Sequence, residues 1–215
     1  MSDDQQPGAG PSNLSAQFAA STEDVADMYD GWADSYDDDL DGWDYTVPDR
    51  LAARLAAAGL LDGEVLDAGC GTGRSGVALR EAGATNVLGA DLSPASLLVA
   101  ERRGVYRSTM AVDLKQPLPF VDDRFIAAMS AGVFSYVGDP EPVLRELLRV
   151  VRAGGVVTFS QRTDLWPMYD CDAVIARLVD EGVCTADVSG PLPYLPLHPE
   201  FGDEIGVIET TLTVA

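Results

Sequence analysis

A glycine-rich turn between a buried strand and a helix most limits the folds open to this chain. Residues 65–76 read VLDAGCGTGRSG, so an apolar run enters the turn and a helix-forming sequence leaves it. Strand patterns and helix patterns then alternate along the chain. We predict strands at 64–68, 86–91, 105–112, 125–131, 156–160 and 205–215. This alternation predicts an α/β fold, a doubly wound and mostly parallel sheet with helices on both faces.

Capping residues and glycines predict the helix boundaries. Asp139 and Pro140 begin a helix that we expect to end at Gly154 and Gly155. A Pro-rich stretch at 190–199 predicts an irregular loop. Further helices are predicted at 50–58, 75–83, 94–103 and 169–182.

The first sixty residues differ from the rest in composition. Residues 1–15 contain almost no apolar side chains, and we expect them to form a disordered acidic tail. Tyr29, Trp32 and Tyr36 then recur at helical spacing. An aromatic stripe of this kind packs either into a core or over a ligand. We therefore expect three parts: the tail, an N-terminal helical lid at 16–60 and a ligand-binding domain at 61–215.

The acidity of the chain argues against two classes of partner. There are 35 Asp and Glu residues against 14 Lys and Arg, which gives a formal net charge of −21. Residues 1–50 hold twelve Asp, one Glu and one Arg, and so carry −12 of this charge. Such a surface repels phosphate backbones and anionic lipids, so we expect neither nucleic acid nor a membrane as partner. Solubility, a saline cytoplasm or a protein contact would each account for the excess acid.

Location and metal content also follow from composition. No apolar run approaches the ~18 residues of a spanning helix, and the polar N-terminus does not resemble a secretion signal. We expect a cytoplasmic protein, a monomer or a homodimer. Cys70, Cys171 and Cys184 are too few and too scattered for a disulfide framework or a zinc site, so no metal is expected.

The glycines by themselves fit a dinucleotide site. Gly71, Gly73 and Gly76 satisfy the G-x-G-x-x-G pattern, and Asp91 follows Gly71 by twenty residues. A nicotinamide-dependent oxidoreductase is therefore one hypothesis.

Carboxylates at three successive strand ends favour a different ligand. Asp67, Asp91 and Asp113 would rim one crevice at the carboxyl edge of the sheet. Asp67 would repel a pyrophosphate in a partly dry cleft. S-adenosylmethionine has an ammonium and a sulfonium but no phosphate, and it suits this rim. Asp91 would accept hydrogen bonds from its ribose hydroxyls, and Asp113 with the backbone of Leu114 would contact its adenine.

These motifs together resemble a known family. VLDAGCGTG, followed by GADLS and VDL, is similar to the class I S-adenosylmethionine-dependent methyltransferases over about residues 22–162. The leading YDGWADSYDDDL resembles the start of methyltransferase-like protein 27 and related bacterial small-molecule methyltransferases. The resemblance implies a Rossmann-like seven-stranded sheet in the order 3-2-1-4-5-7-6 with the last strand antiparallel. It also implies S-adenosylmethionine as cofactor and S-adenosylhomocysteine as product.

The resemblance further implies which residues hold the cofactor. The turn glycines would lie against its methionine part, Asp67 would help hold its amino group, and the aromatic lid helix would cover it. Ala131 and Gly132 would lie beside the methionine where substrate enters. The implied cofactor residues are Tyr29, Trp32, Tyr36, Asp67, Gly69, Gly71, Gly73, Asp91, Leu92, Ser93, Asp113, Leu114, Ala131 and Gly132.

Substrate and catalytic residues are less constrained. The side chains after strands four and five either line an acceptor pocket or cap the sheet; they are Phe134, Tyr136, Arg162, Trp166 and Tyr169. Arg162 fits a substrate carboxylate or a neighbouring acid equally. His198 is the only histidine and the one candidate for a catalytic base, unless it is simply an exposed loop residue. We expect Cys70 to pack rather than react.

The sequence thus predicts methyl transfer to an oxygen, nitrogen or sulfur atom of a small molecule. In-line displacement from a sulfonium depends mainly on proximity, because the cofactor brings both the electrophile and the leaving group. Two alternatives stay open: the nicotinamide-dependent oxidoreductase, and a non-catalytic S-adenosylmethionine-binding partner protein whose acidic segment contacts another protein.

Overall fold

A computed structural model describes residues 36–202 and 204–215. The predicted tail and residues 16–35 of the predicted lid, with Tyr29 and Trp32, lie outside the described residues, as does the side chain of Tyr36. The helices are α1 (Tyr36–Gly42), α2 (Val47–Ala57), α3 (Arg74–Glu81), α4 (Pro94–Arg102), α5 (Pro140–Val150) and α6 (Cys171–Asp180), with a 3-10 turn at Phe134–Tyr136. No helix among the described residues is both long enough and apolar enough to cross a membrane.

One mixed sheet forms the centre of the molecule. Its strands are β1 (Glu64–Ala68), β2 (Asn86–Asp91), β3 (Ser108–Ala111), β4 (Phe125–Ser130), β5 (Val151–Arg162), β6 (Cys184–Val188), β7 (Leu192–Pro193) and β8 (Gly206–Val214). They run in the order β3-β2-β1-β4-β5-β8-β6, and the two-residue β7 pairs with β8. The strands β1 to β5 pair in parallel, and β8 runs antiparallel to β5. The expected order and antiparallel last strand are confirmed, with β8 in the seventh place.

The two faces of the sheet bury two apolar layers. Successive side chains of a strand point to opposite faces. Leu66 of β1 accordingly lies in one layer with α5 and α6, and Val65 lies in the other with α2 and α3. Burial of alternate faces fixes the register of the strands, and with it the edge at which they end.

The predicted end of one helix was wrong. The helix that begins at Pro140 ends at Val150 and passes directly into β5, so Gly154 and Gly155 lie in a strand. A Cβ at Gly155 would lie 2.6 Å from the carbonyl oxygen of Ile126, so the glycine permits close approach at the register shift of β4. The strand β6, and the β7 pairing inside the predicted loop, were not predicted.

Candidate functional site

The glycine turn is held to the end of β2 by its own backbone. Gly69, Gly71 and Gly73 have φ values of 78°, 51° and 95°, a region that favours glycine. The N–H groups of Gly69 and Cys70 donate to the carbonyl of Ala90 at 2.7 and 3.0 Å. A Cβ placed on Gly71 would have no atom of the described residues within 4 Å, so this part of the chain leaves the middle of the turn open. This is the shape that allows a ligand to lie against the backbone.

The three carboxylates lie at or just beyond the ends of strands that are neighbours in the sheet: Asp67 within β1, Asp91 at the end of β2 and Asp113 two residues after β3. Asp91 accepts hydrogen bonds from the N–H of Gly71 at 2.8 Å and the N–H of Ser93 at 2.9 Å. Its own carbonyl accepts the N–H of Val112 at 2.8 Å, which ties the segment after β3 to β2. Asp113 is half-buried and accepts the N–H of Lys115 at 2.9 Å. The register thus brings the acids of β1, β2 and β3 to the edge that the sequence predicted.

Asp67 differs from the other two because its side chain is wholly buried. Oδ2 accepts hydrogen bonds from the Ser75 hydroxyl at 2.6 Å and the Tyr106 hydroxyl at 2.7 Å. Burial raises the pKa of Asp67 to about 6, and the two hydroxyl donors act against that rise. Sequence reasoning missed Ser75 and Tyr106, which reach Asp67 from α3 and from the segment before β3.

The residues after β2 and β3 also stabilise the local fold. Ser93 is buried and caps α4, since its hydroxyl accepts the N–H of Ser96 at 3.0 Å. Leu92 is half-buried and Leu114 is buried. Cys70 is buried, and desolvation raises the pKa of its thiol, in line with the expectation that it packs.

The described end of the predicted lid lies against the glycine turn. Asp37 of α1 accepts the Thr72 hydroxyl at 2.9 Å and pairs with Arg103. Asp41 pairs with Arg74 at 2.7 Å. Between α1, α2 and α3 lies a cavity of about 230 Å³, lined by Asp41, Tyr45, Pro48, Asp49, Arg74, Val77, Ala78 and Arg103. Ion pairs to acids of the first fifty residues therefore connect this segment to the turn.

The end of β4 forms the other side of the site. Ala131 and Gly132 are half-buried, and the N–H of Gly132 donates to the Ser160 hydroxyl at 2.9 Å. Gly132 has a φ of 76°, and a Cβ there would lie 2.8 Å from the Tyr45 hydroxyl. Tyr45 meets Tyr194 edge to face, with ring centroids 5.8 Å apart. Sequence reasoning missed both tyrosines, because each lies in a loop with no motif around it.

Two of the proposed substrate residues lie in the core instead. Phe134 is 1% exposed and packs on Phe159 with ring centroids 4.6 Å apart. Trp166 is also buried in the layer beneath α6. Burial of both rings favours the sheet-capping role that the sequence left open over contact with an acceptor.

The other three substrate candidates have defined surroundings. Arg162 is buried and pairs with Asp164 through Nε at 3.0 Å and Nη2 at 2.6 Å. Its guanidinium also lies 4.5 Å from the centroid of Phe201. Of the two roles left open by the sequence, the structure therefore places Arg162 beside an acid. Tyr136 and Tyr169 are half-buried, and the Tyr169 hydroxyl donates to a backbone carbonyl at 3.4 Å.

His198 is not placed to act as a base. It is buried between Trp43 and Phe201, with ring centroids 4.4 Å from each. Nδ1 accepts the backbone N–H groups of Glu200 and Phe201 at 3.0 and 3.2 Å, so the proton of the neutral ring is on Nε2. Desolvation lowers the pKa of the ring. The candidate base is therefore a neutral residue that orders its own loop.

Comparisons with known proteins show the family to which this chain belongs. Residues 66–159 match the family described as "Methyltransferase domain". Methyltransferase-like protein 27 from Homo sapiens is 32% identical over 176 residues, which are 78% of this chain and 71% of the relative. The chain belongs to the class I S-adenosylmethionine-dependent methyltransferases, and S-adenosylmethionine is its cofactor.

One further relative and one solved structure are also similar to this chain. Methyltransferase GfsG from Streptomyces halstedii is 31% identical over 70% of this chain, and the match spans 54% of that relative. Among solved structures, an S-adenosylmethionine-dependent methyltransferase from Thermotoga maritima superposes with a TM-score of 0.64 at 18% identity. That superposition covers 88% of this chain and 99% of the other, and at this identity it supports the fold alone.

Proposed function

We propose that this methyltransferase transfers its methyl group to an oxygen, nitrogen or sulfur atom of a small molecule. The observation that carries the proposal is the edge formed by Asp67, Asp91 and Asp113 around a glycine turn that faces open space at Gly71. We propose that the cofactor is held there by Asp67, Gly69, Gly71, Gly73, Asp91, Leu92, Ser93, Asp113, Leu114, Ala131 and Gly132, under a lid that carries Tyr29, Trp32 and Tyr36.

The hydrogen-bond acceptors at this edge of the sheet suit such a cofactor. The buried Oδ1 of Asp67 has no hydrogen-bond partner in the described part of the chain, and an ammonium nearby would compensate it. Asp91 lies at the end of β2, where its carboxylate suits a vicinal diol. A carboxylate oxygen accepts more than one hydrogen bond, so the bonds from Gly71 and Ser93 are compatible with this role.

The residues of the chain act mainly by alignment and exclusion of water. The bound cofactor supplies an electrophilic methyl group and a neutral leaving group. The backbone of Gly132 and the Tyr45 hydroxyl would flank the entering acceptor, and α1 would close the turn from solvent. Because His198 is a neutral ring whose Nδ1 is already an acceptor, we assign it no proton transfer. An amine or thiol acceptor would need the least help from a base.

The ion pair between Arg162 and Asp164 bears on the charge of the methyl acceptor. Asp164 offsets the Arg162 charge through two hydrogen bonds, so a carboxylate acceptor would find no uncompensated cation in that pair. We propose a neutral or cationic small acceptor. We keep as further proposals a tail at 1–15, a lid at 16–60, a domain at 61–215, a cytoplasmic location, and a monomer or homodimer.

Calorimetry with S-adenosylhomocysteine tests the proposed site. We expect Asp91→Ala to weaken binding by about tenfold to a hundredfold, the usual value of hydrogen bonds to a charged group. Asp180→Ala, an exposed acid at the end of α6, is the matched control and should leave the affinity unchanged. Equal affinities for the two variants would contradict the proposed site.

The two rival hypotheses have their own tests. A dinucleotide enzyme predicts thermal stabilisation by NAD, whereas our proposal predicts stabilisation by S-adenosylhomocysteine alone. A non-catalytic partner protein would bind the cofactor without methylating any member of a panel of amines, thiols, phenols and carboxylic acids.

A further inference from the structure

Asp67 presents one satisfied oxygen and one bare oxygen in a wholly buried position. Oδ2 accepts two hydroxyl donors, from Ser75 at 2.6 Å and from Tyr106 at 2.7 Å. Oδ1 has no partner within the described part of the chain. A buried acceptor left bare costs free energy, so its retention at the start of the glycine turn calls for a reason.

Two glycines leave the space that the Tyr106 ring occupies. A Cβ on Gly76 would overlap the ring and hydroxyl of Tyr106, and one on Gly89 would lie 3.0 Å from its Cε1. The same Gly89 Cβ would lie 3.0 Å from the Cys70 sulfur. Two glycines, on α3 and β2, thus form a slot that leads the hydroxyl to Asp67. The third glycine of the G-x-G-x-x-G pattern thus makes room for this ring.

The charges that face Asp67 are few. The pKa of Asp67 is raised to about 6, chiefly by burial and also by the nearby carboxylate of Asp91 on β2. The hydrogen bonds from Ser75 and Tyr106 lower it. Burial also raises the pKa of Tyr106 and of Cys70 well above neutrality, so both stay protonated. The two hydroxyl donors are therefore the local groups that favour the ionised carboxylate.

We propose that Tyr106 and Ser75 are positioning residues: they hold Asp67 ionised, with Oδ2 occupied, so that Oδ1 supplies the negative charge facing the cofactor's ammonium. The inference rests on the proposed cofactor site and deepens it. It follows that cofactor affinity depends on pH. Affinity is full when Asp67 is ionised and falls up to tenfold per pH unit below that range.

Calorimetry with S-adenosylhomocysteine at pH 6 and pH 8 tests this on the full chain. Tyr106→Phe keeps the ring in its slot and removes only the hydroxyl. Loss of one hydrogen bond to a charged group makes the carboxyl about tenfold weaker as an acid. We therefore expect binding to weaken about fivefold or more at pH 6 and less than about twofold at pH 8. If Tyr106 had a purely structural role, its substitution would weaken the affinity for S-adenosylhomocysteine by the same factor at both pH values.

Two further variants keep the test decisive. Ser75→Ala removes the other donor and should show the same divergence between pH 6 and pH 8. Thr109→Val is the matched control, because it also removes a hydroxyl that donates to a carboxylate, here Glu101 at 2.6 Å on the surface. It should leave both affinities unchanged.

Binding by the wild-type chain at several pH values completes the experiment. If the wild-type chain binds S-adenosylhomocysteine equally well from pH 5.5 to pH 8, or if both donor variants lose affinity equally at all pH values, the positioning role is overturned. Absence of wild-type binding at every pH would instead overturn the proposed cofactor site. The two failures are therefore distinguishable.

Discussion

At the scale of single residues, the site depends on glycines that do two different things. Gly71 has a φ of 51° and faces open space, so its lack of a side chain leaves room for a ligand. Gly132 has a φ of 76° and faces the Tyr45 hydroxyl, so its lack of a side chain leaves room for a residue of the chain itself. A sequence pattern cannot distinguish these uses, because both give a glycine after a strand.

Gly132→Ala should destabilise the fold in two ways, through backbone strain and through a steric clash. The left-handed backbone costs an alanine about 1–2 kcal/mol, and the added Cβ would press on the Tyr45 hydroxyl at 2.8 Å. We expect the free energy of unfolding, measured with urea, to fall by more than the backbone cost alone. Gly59→Ala is the control, since Gly59 has a φ of 70° and no atom within 4 Å of its Cβ position.

A second change separates the contact from the backbone. In a Tyr45→Phe background the hydroxyl is absent, so Gly132→Ala should cost no more than Gly59→Ala. The coupling between neighbouring sites is what a double-mutant cycle measures. An unchanged cost of Gly132→Ala in that background would show that Tyr45 does not approach Gly132 as described.

At the scale of elements, a buried acid attaches α2 to the far side of the sheet. Glu209 on β8 is 1% exposed and accepts hydrogen bonds from Arg50 at 2.5 Å and Arg54 at 3.2 Å, both on α2. Because α2 packs beside α3, which begins at the glycine turn, this attachment fixes the wall of the site. Loss of the Glu209 charge would leave both guanidiniums without their buried acceptor, and breaking such a buried ion pair costs more than breaking one on the surface.

Glu209→Gln should therefore lower the free energy of unfolding by about 1–3 kcal/mol, the value of hydrogen bonds to a buried charge. The matched control is Glu141→Gln. Glu141 also accepts from two arginines, Arg145 and Arg177, but on the surface, where such pairs contribute at most about 1 kcal/mol. Equal losses in urea denaturation would contradict the distinction between the two acids.

The same scale shows what sequence reasoning can and cannot reach. β1, the glycine turn and β2 were predicted because their signal is local: apolar runs, glycines and a terminal Asp within a few residues. Tyr106 and Ser75 were missed because only the folded chain brings them to Asp67, Tyr106 from 39 residues away. Cys184–Val188 was missed as a strand because it is an edge strand with four of five residues exposed, which leaves no apolar alternation. The burial of His198 was not predicted because nothing in a Pro-rich loop indicates that Trp43 and Phe201 enclose it.

At the scale of the whole molecule, the net charge of −21 opposes compaction. Arginines offset it locally, as Arg103 and Arg74 do for Asp37 and Asp41 beside the turn. With 35 acids against 14 basic residues, the acids nevertheless exceed the available cations by 21, so net repulsion remains. Repulsion of this kind is long-ranged in dilute salt and short-ranged in concentrated salt, because the Debye length falls from about 30 Å at 0.01 M to about 10 Å at 0.1 M.

The midpoint of thermal unfolding should accordingly rise with sodium chloride, and most of the rise should occur below about 0.2 M. Screening also weakens the surface ion pairs, but the acids outnumber their partners by more than two to one, so relief of repulsion outweighs that loss. Sodium sulfate at equal ionic strength is the control, because screening predicts the same rise for both salts in this range. Salting-out would instead favour sulfate and continue above 1 M. A midpoint that falls with added chloride would mean that the ion pairs, rather than the unpaired acids, dominate the electrostatics of the fold.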